Sequence, residues 1–170
     1  MRRAASIAVI GLLIVATVTL QVSVFNHFAI GGVAPDLALI VVIAAALLRG
    51  PEYAAVVGFA AGLVLDLAPP ADHTAGRWAL SLVLVGFLAG LARPDTDVSV
   101  IGKLVMVAAG AFIGTSVFAL TGLILNDPGV SIASVFDVVP KAVAYDIVIT
   151  PLVLPLILLA MRQFEPAERW

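Results

Sequence analysis

The sequence contains no cysteine among its 170 residues. Disulfides, thiolate metal sites and cysteine nucleophiles are therefore excluded. Charge is scarce too: Asp, Glu, Lys and Arg make up 12%, against about a quarter in ordinary soluble domains. The net charge of −2 leaves no basic surface for nucleic acid. Histidine occurs twice, His27 and His73, each isolated in a polar loop without the spaced carboxylate of a metal site. No phosphate loop of the Gly-x-x-x-x-Gly-Lys-Ser/Thr kind is present. Gly114-Thr115-Ser116 lacks the following glycine of a nucleophile elbow. An acid, a base and an oxyanion site do not assemble, so the residues read as no enzyme and call for no cofactor.

What the chain has is apolar bulk. Hydrophobic residues account for 62%, more than a small soluble core can hide. The composition predicts an all-α integral membrane protein in one domain, residues 1–170, in contact with lipid. Six apolar segments follow one another, at about 4–25, 36–48, 53–68, 77–92, 99–125 and 138–161. The first, after Met1-Arg2-Arg3, is too long for the apolar region of a signal peptide and reads as an uncleaved helix. Its length of about 33 Å matches a bilayer core of about 30 Å. The second and third are short and read as a tight hairpin broken at Arg49-Gly50-Pro51-Glu52, with a single re-entrant unit as the other reading. Asn126–Asp137 reads as a polar loop.

Counting basic residues orients the chain. Six spans place Arg2, Arg3, Arg49, Arg93, Lys103, Arg162 and Arg169 on the side of both termini, and leave Arg77 and Lys141 opposite. Basic residues stay cytoplasmic, so both termini are expected inside.

The chain reads as organised around Gly58–Pro70. That stretch joins a Gly-x-x-x-Gly pair to a carboxylate, Asp66, ahead of Pro69-Pro70. Three such pairs occur, Gly58/Gly62, Gly86/Gly90 and Gly110/Gly114, and predict close helix packing or contact with a partner helix. Asp66 and Asp146 are the acids expected at membrane depth, where an ionisable side chain marks a functional candidate. The structural alternative for Asp66 is a helix end at the interface. For Asp146 it is a bond to a carbonyl freed by proline, with Lys141 near enough in sequence to be considered as a partner.

Leu20-Gln21, Phe25, Pro35-Asp36-Leu37, Gly58-Phe59, Gly62-Leu63, Asp66-Leu67, Gly76 and Gly86-Phe87-x-x-Gly90 together resemble the rod shape-determining protein MreD family. Tyr145-Asp146, Thr150-Pro151-Leu152 and Pro155-Leu156 extend the resemblance to the last helix, although the family often carries Asn where Asp146 stands. Pro35, Asp36, Asp66 and Gly76 are the motif positions taken from it. The resemblance implies a multi-pass protein of the bacterial inner membrane that works with MreC, MreB, the RodA glycosyltransferase and a class B penicillin-binding protein. Its implied role is non-catalytic: support of side-wall peptidoglycan synthesis and rod shape. The implied six-helix fold is similar to the substrate-binding subunit of energy-coupling-factor vitamin transporters, which supplies the alternative function. A third idea is a proton or ion pathway through Asp66 and Asp146.

Overall fold

A computed structural model describes residues 2–69, 73–93, 98–127 and 129–163. Asp72, the charged stretch 94–97 and the tail after Gln163 lie outside the described residues. Among the described residues the fold is all-helical. It comprises α1 (Arg2–Ser23), a 3-10 turn (Phe25–Phe28), α2 (Leu37–Arg49), α3 (Pro51–Leu67), α4 (Arg77–Leu91), α5 (Val100–Ile124) and α6 (Ile132–Gln163). Among the described residues two helices, α5 and α6, are long and apolar enough to cross a membrane.

The centre of the bundle is α2, not the Gly58–Pro70 stretch. Every residue from Leu37 to Ala46 is buried, whereas α3 buries one face. A helix apolar on all sides must be wrapped by others. Here α1, α3, α4, α5 and α6 all pack on it. At 13 residues it is about 20 Å long.

The break between the second and third segments is tighter than the composition suggests. A single residue, Gly50, separates the two helices. Its φ of 80° suits glycine, and Pro51 opens α3 where a missing N–H costs nothing.

The α3 and α4 helices interlock through glycine. An added Cβ on Gly58 would run into the Leu82 carbonyl, and one on Gly62 into Ala79 and the Trp78 carbonyl. In return, Gly86 abuts the Ala54 carbonyl and Gly90 abuts Pro51. Backbone lies against backbone along the whole hairpin. Gly110 and Gly114 in α5 are less constrained, since they face side chains: a Cβ would stand 3.1 Å from Ile43 Cδ1 and 3.2 Å from a Val85 methyl.

The sixth helix starts at Ile132, six residues before the expected 138, so the presumed loop Asn126–Asp137 is half helix. Ser131 and Ser134 explain the early start. The Ser134 N–H donates to Ser131 Oγ (3.1 Å) and the Ser131 N–H donates to Ser134 Oγ (2.9 Å), a reciprocal cap. The helix then continues through Pro140, Pro151 and Pro155.

Candidate functional site

Among the described residues the buried polar side chains other than Ser81 gather at one end of the bundle, in two clusters.

The first surrounds Asp66, 2% exposed in the last turn of α3. A carboxylate there opposes its own helix dipole but favours a neighbouring N-terminus. The neighbour is α4. Asp66 accepts from the backbone N–H groups of Gly76 (2.9 Å), Trp78 (3.1 Å) and Ala79 (3.1 Å). Asp66 thus supplies the capping acceptor for a helix whose N-cap residue, Gly76, is ten residues further on. Gly76, a motif position, supplies one of these donors with a φ of 95°.

Arg77 opens α4 and is buried, which the sequence did not reveal. A cation at a helix N-terminus needs strong compensation. Its guanidinium pairs with Asp127, donates from Nε (3.3 Å) and Nη2 (2.6 Å) to the Phe118 carbonyl, and lies 3.8 Å from the centre of the Phe118 ring. Trp78 stacks on the same ring at 4.4 Å. Gly122 leaves the room, since a Cβ there would collide with Arg77 Nη2. His73 was expected in a solvated loop. It packs edge-on against Phe118 at 5.3 Å, with Nδ1 3.8 Å from Asp66. An aromatic ring one helix away, invisible in the local sequence, draws it in.

The second cluster closes the start of α2. The Leu39 N–H donates to Asp36 (3.0 Å), the Ala38 N–H to Gln21 Oε1 (3.1 Å), and the Asp36 N–H to Asp146 Oδ1 (2.7 Å). Three helices, α1, α2 and α6, thus supply the acceptors at one helix start, and Pro35 is buried beside them. Asp146, 2% exposed, binds this N–H and not a proline-freed carbonyl. Lys141 is not its partner, because Lys141 pairs with Asp137 at 2.6 Å. Nearby, the Tyr145 hydroxyl donates to the Phe28 carbonyl (2.6 Å) and the Thr150 hydroxyl to the Asp146 carbonyl (2.5 Å). Gln21, Arg77, Phe118, Asp127 and Tyr145 escaped selection because each gains its role from a distant segment. The available signals were the motif pairs Leu20-Gln21 and Tyr145-Asp146, which contain two of these residues.

Asp66 and Asp146 therefore serve different helix starts with different partners. The two carboxylates bond backbone N–H groups, which makes them structural acceptors. An open groove of about 350 Å³ lies elsewhere, between α1 and the end of α3. Its lining includes Val18, Val22, Val64 and Leu67, with hydroxyls only from Thr19 and Ser23.

Fold and clusters together define an all-helical protein of membrane composition whose buried polar side chains fasten helix ends. The chain belongs to the MreD family: the profile described as rod shape-determining protein MreD matches residues 1–163. No curated protein and no solved structure matches the chain. Membership places the chain among membrane proteins that determine rod shape in association with the MreB/MreC machinery.

Proposed function

We propose that the chain is a non-catalytic scaffold of the bacterial cell-elongation machinery. It spans the inner membrane six times with both termini in the cytoplasm. It binds MreC and, through the wider complex, MreB, RodA and a class B penicillin-binding protein. The observation that carries this reading is the family match over residues 1–163. The use of Asp66 and Arg77 as internal fastenings supports it, because such groups stiffen a bundle. The shorter helices cross as part of the bundle, with α2 shielded from lipid by its neighbours. Seven basic residues on the side of the termini against two opposite favour the orientation.

Affinity purification of the full chain from native membranes in mild detergent, with mass spectrometry of what accompanies it, is the deciding test. MreC together with RodA or the penicillin-binding protein is the expected result. Paired ATPases with a coupling membrane subunit would overturn the scaffold reading in favour of a transporter.

A further inference from the structure

The geometry points to a joint in α6: the half from Ile132 to Thr150 is a strap, held closed over the start of α2 by polar bonds and hinged at Pro151–Pro155.

The joint follows from missing bonds. Proline has no N–H to give and its ring pushes against the carbonyl four residues back. Pro151 and Pro155 therefore leave the carbonyls of Ile147 and Pro151 without their ladder donors, in successive turns. The Thr150 hydroxyl binds the Asp146 carbonyl at 2.5 Å, a contact that itself tends to bend helices. Pro140, Pro151 and Pro155 are all exposed, while Asp146, Thr150 and Leu154 are buried.

The two halves differ in how much apolar packing holds them. Below the joint, Leu154, Ile157, Leu158 and Met161 belong to the main hydrophobic cluster with α2. Above it, the buried Val139 and Ala142 lie outside that cluster, and only the half-buried Val143 and Ile149 pack against it. There the strap is held to the α1–α2 connection by two side-chain bonds, Asp146 from the Asp36 N–H and Tyr145 to the Phe28 carbonyl. Lys141 Nζ lies beside Gly31, where a Cβ would stand 3.0 Å away. Polar bonds of this kind are few and replaceable, and apolar packing is collective. The strap therefore swings away from the α1–α2 connection, with its flank still on α5, and uncovers Asp36 and Gln21. The joint is independent of which proteins the chain binds.

The absence of native cysteine allows a direct test with two introduced spin labels. Cysteines replace Asn26, in the 3-10 turn, and Phe136, on the exposed face of the strap. Phe136 stands about 22 Å from Pro151 along the helix, so a small rotation gives a measurable displacement. Pulsed electron–electron distances are recorded on the full chain in lipid nanodiscs. Labels replacing Ile7 and Leu159 report on the other half of the bundle.

Two populations are expected for the first pair and one for the second. Tyr145→Phe raises the longer-distance population about five-fold, the factor for one hydrogen bond of about 1 kcal/mol. Asp146→Leu does the same, and Asp146→Asn, which keeps an acceptor oxygen, stays like the parent. Pro151→Ala with Pro155→Ala collapses the first pair to one distance. If Asp146→Leu fails to fold, Tyr145→Phe and the proline variant carry the test. A single narrow distance that no variant changes would overturn the joint. Equal broadening of both pairs would also overturn it, because the whole bundle would then be loosening.

Discussion

Gly62 and Gly11 are the same residue type in helices of the same protein, and the structure gives them opposite weights. A side chain on Gly62 meets the backbone of Ala79, which cannot yield, whereas nothing lies within 4 Å of a Cβ on Gly11. Gly62→Leu is expected to cost more than about 3 kcal/mol and to prevent normal assembly of the α3–α4 hairpin. Gly11→Ala is expected to leave stability unchanged or raise it by up to about 1 kcal/mol, since helical glycine is unfavourable in itself. Thermal unfolding of both variants in one detergent checks the contrast. Asp66 makes a comparable residue-scale case. Asp66→Ala removes the acceptor of three N–H groups at the start of α4 and should lower stability by about 2 kcal/mol. Asp66→Asn keeps one acceptor oxygen and should cost less in the same melt. The sequence identified Asp66 and Asp146 as unusual because they are acids among apolar neighbours. It did not identify the N–H groups they serve, since those lie on other helices.

Helix ends, more than helix interiors, distinguish the elements of this protein. The start of α4 combines an acceptor from α3, Asp66, with a buried cation, Arg77, neutralised from the connection after α5 by Asp127. Removing one partner of a buried pair leaves the other uncompensated. Asp127→Ala alone is therefore expected to cost about 3 kcal/mol, and Arg77→Met combined with Asp127→Leu to cost less than that single change. A double-mutant cycle of unfolding midpoints reads the difference. Element boundaries were legible where the signal was local, as at Pro51 and at Ser99, whose hydroxyl caps α5 by accepting from the Gly102 N–H. The start of α6 was less so. Ser131 and Ser134 are a cap signal, but they sit among polar loop residues.

Taken whole, the bundle has one end that carries the α1–α2, α3–α4 and α5–α6 connections and both polar clusters. The proposed orientation puts that end outside the cell. Single cysteines at Ser131 and Arg93, both exposed and at opposite ends, test it without background. A membrane-impermeant maleimide should label the Ser131→Cys chain in intact cells and the Arg93→Cys chain only after permeabilisation. The reverse pattern would invert the topology.

Composition and order along the chain were enough to determine a membrane-embedded, all-helical protein, because 62% apolar residues in six runs leave few other ways to hide from water. They were also enough for the family, since the motifs are spread over the whole length and a profile reads them in order. The tertiary structure alone decided that α2 is the centre, that the α3 and α4 backbones touch through reciprocal glycines, and which helix start each buried acid closes. The physical reason is the same in each case. Hydrophobicity and turn chemistry are properties of neighbouring residues. A hydrogen bond from Asp36 to Asp146 spans 110 residues, and only the packed bundle brings such groups within 3 Å.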